Sequence, residues 1–271
     1  MKHLLLTICL SVSLMASAAV ADWSPCDGHK MHWPQLPDPQ GWDVFASTYR
    51  NANYDPNDPA GQEFLQKVLA DDWMCSGTGP VSDVHLWGSW RDNVEGPIDG
   101  IQISIHGDIP ATADSYSRPG ELLWERNFTT TEIKIINPYG TGNEGWFNPN
   151  TGLVVEEDHD MFHQINIMDI VDPFIQKEGD IYWLDVTVFT SADAGAVLPE
   201  WGWKTSMSDH FNDDAVWSDI DAAGGLAWNE LRDPLDPAVS LDMAFVITPE
   251  PATMVMLALG SLTLLCRGRK T

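Results

Sequence analysis

From Ser82 onward, apolar residues recur at every second position. Val84 and Leu86, then Ile101, Ile103 and Ile105, then Leu122 and Trp124, then Ile133 and Ile135 open the series. It continues at Ile165 and Ile167, at Tyr182, Leu184, Val186 and Val188, and at Leu241, Met243, Phe245 and Ile247. Successive side chains of a strand point to opposite faces, so a period of two carried by β-branched and aromatic residues predicts strands with a buried face. Turn-forming groups such as Glu95-Gly-Pro, Arg118-Pro-Gly, Asn148-Pro-Asn-Thr-Gly152 and Glu178-Gly-Asp separate the runs. Strands following one another without helical patterns predict an all-β fold, an antiparallel two-sheet sandwich of jelly-roll type. One helix is expected, over Gly61 to Asp72, where Phe64, Val68 and Leu69 have roughly helical spacing. Residues 22–64, rich in Pro, Asp, Asn and Trp and without either period, read as an irregular arm lying on a domain of residues 65–248.

The two ends follow other rules. Residues 1–21 carry Lys2 and His3, an apolar stretch, and the small-residue exit Ala19-Val-Ala21, the order of a secretory signal peptide. Export through the Sec machinery follows. At the other end, Pro249-Glu250-Pro251 precedes an uncharged stretch, residues 252–266, and then Arg267, Arg269 and Lys270. That stretch is shorter than the roughly 20 apolar residues of a permanent span. The basic end would stay cytoplasmic, giving a transient membrane insertion through a short hydrophobic helix.

Residues 249–271 resemble the PEP-CTERM sorting signal of Gram-negative and planctomycete-like bacteria. The resemblance implies a membrane-anchored precursor cut near Pro249-Glu250-Pro251 by an exosortase, with the mature protein released to the cell surface or extracellular matrix. The body also resembles the ectodomain of an uncharacterised set of PEP-CTERM proteins from planctomycete-type bacteria. Leu69-Ala-Asp-Asp-Trp-Met-Cys75, Gly79-Pro-Val-Ser-Asp-Val-His-Leu-Trp-Gly-Ser-Trp90, Trp201-Gly-Trp-Lys-Thr-Ser206 and Asn212-Asp-Asp-Ala-Val-Trp217 carry this likeness. It implies a secreted β-domain and brings no activity.

Charge excludes one class of partner. The chain has 14 Lys+Arg against 40 Asp+Glu, a formal net charge of −26, and four of its basic residues (Lys2, Arg267, Arg269 and Lys270) lie in the terminal segments. Nucleic acid needs a Lys/Arg footprint that such a body lacks. The 44% apolar content and 13 Trp argue equally against disorder. Of four cysteines, Cys9 and Cys266 fall in the ends, which leaves Cys26 and Cys75 as a disulfide candidate in an oxidising compartment, with two free thiols as the alternative.

Candidate chemistry is sparse. His159 and His163 lie in an acidic run, Glu156 to His163, which reads as a solvated loop leading into a strand, with a metal site as the alternative. Oxygen-rich clusters suit calcium: Asp209, Asn212, Asp213 and Asp214, and Asp55, Asn57 and Asp58 in the arm. Trp87, Trp201 and Trp203 could stack on sugar rings, although aromatics in sheets more often form core. Gly140, Gly142 and Gly145 have the spacing of a dinucleotide-binding loop, but their surroundings read as turns. No nucleophile or phosphate-binding motif stands in the chain. The leading expectation is therefore a non-enzymatic, acidic surface or matrix protein. A carbohydrate-binding module for extracellular polysaccharide is the alternative, and a glycan hydrolase, which needs two facing carboxylates, is a lesser one.

Overall fold

The computed structural model describes residues 23–24, 27–49, 67–192, 197–207, 211, 213–219 and 227–248. The expected signal peptide, the sorting tail, Cys26, Asp209, Asn212 and the Asp55 to Asp58 cluster lie outside these residues.

The described residues build two main sheets, and the all-β sandwich expected from the alternation is what they form. The first sheet contains β1 (Trp42–Phe45), β5 (Asp83–Trp90), β8 (Ile133–Asn148), β9 (Leu153–Ile167), β12 (Trp201–Lys204) and β15 (Phe245–Thr248). The second contains β2 (Ser47–Tyr49), β3 (Lys67–Met74), β6 (Ile98–Ile109), β7 (Arg118–Thr129), β11 (Ile181–Thr190), β13 (Val216–Asp219) and β14 (Asn229–Glu230). A short pair, β4 (Gly79–Pro80) with β10 (Ile175–Gln176), stands beside them. Pairings are antiparallel except β1 with β8 and β2 with β11. The main core lies between the sheets, with Leu86, Ile165 and Phe245 from one side meeting Ile103, Leu184 and Val186 from the other.

The first sheet closes on itself. It runs in the order β12, β1, β8, β9, β5, and β12 also pairs with β5 through Trp201 to Trp90, Gly202 to Ser89 and Trp203 to Gly88. Five strands thus make a ring, and every residue of β5 is buried because one face looks into the sandwich and the other is covered as well. Closure demands close approach. A Cβ on Gly88 would lie 2.2 Å from the Trp201 ring and 2.3 Å from the Gly202 carbonyl oxygen.

Three sequence expectations change. Residues 67–72, the described part of the expected helix, lie in strand β3 (Lys67–Met74), because Leu69 and Trp73 face the core while Ala70 faces away, and pairing with β11 and β13 outweighs a weak helical spacing. The arm is not merely irregular, since Trp42–Phe45 is a central strand of the ring and Ser47–Tyr49 extends the second sheet. Gly140, Gly142 and Gly145 lie within β8 rather than in a turn. They let neighbours come close, for a Cβ on Gly142 would overlap the Pro39 carbonyl and one on Gly145 the Trp42 ring.

Candidate functional site: a buried charged centre

The five strands of the ring bring one group of buried polar side chains together: Asp43 from β1, Ser89 from β5, Glu144 from β8, His159 from β9 and Lys204 from β12. The cross-strand register explains the meeting, since Asp43 pairs with Lys204, Glu144 with His159, and Ser89 with Gly202. Gly202 leaves the room, because a Cβ there would lie 2.8 Å from Trp146 and 3.0 Å from Asp43. Lys204 Nζ donates to Asp43 Oδ2 at 3.1 Å and to Glu144 Oε2 at 2.7 Å. His159 Nε2 lies 2.6 Å from Ser89 Oγ, 3.0 Å from Asp43 Oδ2 and 3.3 Å from Glu144 Oε2, while Nδ1 donates to Asp158 Oδ2 at 2.9 Å. The edge of Trp146 meets His159, and Lys204 Nζ stands 5.2 Å from the centre of the Phe162 ring.

Electrostatics fix the protonation states. Burial works against a charged His159, yet hydrogen bonds to Asp43 and Glu144 raise its pKa to about 10, so it is an imidazolium at neutral pH. Burial also works against Asp43, but Lys204 and His159 hold its carboxyl far below the usual range. Burial pushes the Glu144 carboxyl upward, opposed by the hydrogen bond from His159 and the Lys204 charge. Lys204 and His159 each pair with Asp43 and Glu144, and such pairing is what makes buried charge tolerable.

Two kinds of chemistry can be weighed against this geometry. Ser89, His159 and Asp158 stand in the order of a nucleophilic triad, with the hydroxyl at Nε2 and a carboxylate at Nδ1. A general base must accept the hydroxyl proton, and an imidazolium flanked by three carboxylates has no lone pair to do so. Ser89 is moreover fully buried. A metal is the second case, because Asp43, Glu144 and His159 offer ligand atoms within 4.8 Å of one another. Here the Lys204 ammonium already lies against Asp43 Oδ2 and Glu144 Oε2, so a metal ion would have to displace it and the His159 proton. The centre is a buried cluster of paired charges.

The residues singled out from sequence are scattered. Trp87, Trp201 and Trp203 are all buried, so none offers a face to a sugar. Trp87 packs on Trp23 and Tyr139, Trp201 Nε1 donates to His163 Nε2 at 2.8 Å, and Trp203 Nε1 donates to the Ala244 carbonyl at 2.8 Å. The reason is ring closure, which covers the face of β5 that alternation alone leaves open. His159 and His163 are interior residues of β9 rather than part of a solvated loop. Cys75 is a buried thiol whose Sγ donates to the Gly77 carbonyl at 3.2 Å, and its candidate disulfide partner, Cys26, lies outside the described residues. Asp213 and Asp214 are half-buried, and Asp214 pairs with Arg232.

Asp43, Ser89, Glu144 and Lys204 were not anticipated. One signal was present: Trp201-Gly-Trp-Lys204 and Trp42-Asp-Val-Phe45 each hold a single charge in an aromatic strand, and burying such a strand buries a charge that needs a partner.

A family model described as a domain of unknown function, DUF7901, matches residues 31–248. The chain belongs to this family. The DUF7901 match begins at Met31, within the arm, in keeping with a domain that needs β1 for its ring. The PEP-CTERM protein-sorting motif matches residues 248–270, directly behind the DUF7901 domain, and marks an exported, surface-directed substrate of exosortase. Searches of curated proteins and of solved structures gave no match. Among the described residues no helix is long and apolar enough to cross a membrane, and the stretch 252–266 lies outside them.

Proposed function

We propose that this DUF7901 protein is a non-enzymatic component of the cell surface or extracellular matrix, exported through the Sec machinery and released from a transient membrane anchor by exosortase. The sorting motif at residues 248–270 carries the reading. Support comes from the charged centre, where Lys204 and His159 are paired with Asp43 and Glu144 and the side chains are wholly buried. A net charge of −26 keeps such a protein soluble and attracts cations among extracellular polymers. The carbohydrate-binding alternative loses its stacking residues with the burial of Trp87, Trp201 and Trp203.

The test is expression in a bacterium that has an exosortase, with and without residues 249–271. The full chain should reach the surface or medium with its tail removed, as mass spectrometry of its C-terminus would show, and the shortened chain should not reach the surface. Equal distribution of the two forms would refute the sorting. Covalent labelling of Ser89 by a fluorophosphonate would refute the non-enzymatic part.

A further inference from the structure

The outer face of the second sheet carries a small apolar cluster of Ala70, Trp183 and Val216, covered by Tyr116 and Trp228. Asp72 follows Ala70 by two residues on this face and pairs directly with Trp183 of β11. It is 1% exposed, and neither oxygen of its carboxylate has a hydrogen-bond partner. An ionised carboxylate in that position is unfavourable unless a cation meets it. Burial, and after it the charges of Asp213, Asp242, Asp108 and Asp214, push its pKa well up.

The surroundings collect oxygen donors. Val216 at the start of β13 pairs with Ala70, so Asp213 and Asp214, just before it, approach the end of β3 that carries Asp72, and both charges act on that carboxyl. Trp183 Nε1 holds Asp108 Oδ1 at 2.9 Å. A cavity of about 530 Å³ adjoins, lined by Asp213, Asp214, Glu230, Arg232 and Ser117 among others. The Ser117 hydroxyl is a second buried polar group with no partner. Arg232 already serves Asp214 and Glu230.

We propose that Asp72, with Asp213 and Asp214 from the segment preceding β13, forms a divalent-cation site whose donors select calcium. All the donors are oxygens, without the imidazole or thiolate that zinc prefers, and calcium completes a shell of six to eight with hydroxyl, carbonyl and water oxygens. The carboxylates here are set wider than those of the charged centre, so binding draws Asp213 and Asp214 toward Asp72. The site extends the oxygen-rich cluster seen in the sequence to a buried strand residue outside it, and it does not depend on the sorting function.

The experiment uses the full chain, purified in mild detergent and stripped with EDTA, titrated calorimetrically with calcium chloride and, separately, magnesium chloride. Thermal unfolding is followed in parallel. One calcium per chain should bind, with a dissociation constant on the order of 10⁻⁴–10⁻³ M, and the unfolding midpoint should rise with calcium concentration. Asp72→Asn should abolish both effects, and Asp213→Asn and Asp214→Asn should each weaken binding at least about tenfold. Asp160→Ala, at an exposed acid elsewhere, should change neither. Absence of saturable binding overturns the proposal. So does calcium binding by Asp72→Asn at wild-type affinity, which would mean that Asp72 simply carries a proton; should Asp72→Asn fail to fold, unchanged affinity in both Asp213→Asn and Asp214→Asn is equally fatal.

Discussion

Lys204 Nζ lies 2.7 Å from Glu144 Oε2, and both side chains are wholly buried. Lys204 is held by Glu144 and Asp43, and Glu144 in turn by Lys204 and His159. The cluster ties together strands that are far apart in the chain, since Asp43 and Lys204 are separated by 161 positions.

Removing one member should leave an uncompensated charge. Lys204→Met is expected to destabilise the protein by about 3–5 kcal/mol, measured by urea unfolding at pH 7. Combining it with Glu144→Gln should recover part of that loss. A single-variant effect under about 1 kcal/mol would mean that the cluster is not held as a charged unit.

His159 makes stability fall at alkaline pH. Its folded pKa of about 10 lies above the roughly 6.5 of an unfolded histidine, so the folded state binds the extra proton. The contribution is complete below about pH 6.5 and is lost as pH rises through about 10. Urea midpoints from pH 7 to 10 should fall in the wild type and be flatter in His159→Gln; parallel curves would contradict this.

His163 acts in the opposite window. Burial lowers its pKa to about 4, and Trp201 donates to its unprotonated Nε2. The unfolded chain takes up this proton first, so the stabilisation is present above about pH 6.5 and is lost as pH falls through about 4. His163→Gln, with an amide oxygen to accept from Trp201, should show a shallower loss of stability between those values by circular dichroism.

Gly88→Ala tests the closure of the ring. The added methyl would overlap both the Trp201 ring and the Gly202 carbonyl oxygen, one of them backbone that cannot turn aside. Overpacking of this kind costs roughly 1–3 kcal/mol, and about 3 kcal/mol is expected here. Near-UV circular dichroism should change as Trp201 shifts. A variant that unfolds at the wild-type midpoint would place the strands further apart than described.

Alternation made the long strands legible: Val84 and Leu86, Ile101 to Ile105, and Tyr182 to Val188 fall in β5, β6 and β11, because a half-buried strand writes its period into the chain. The short strands did not show it. Trp42–Phe45 and Trp201–Lys204 have four residues each and are buried on both faces, so no polar face marks them as strands. β3 was misread because only part of it alternates, and its two adjoining aspartates, Asp71 and Asp72, are both buried on opposite faces.

The sequence by itself determined the class of the fold and the C-terminal sorting segment, since these depend on local period and contiguous motif. Only the tertiary structure decided which polar residues matter. Asp43, Ser89, Glu144, His159 and Lys204 are brought together by the pairing of β12 with both β1 and β5, and closure of a ring of strands is a long-range event that leaves no mark within any one segment. The same closure buried Trp87, Trp201 and Trp203, because a sheet face is open or covered according to what lies across from it.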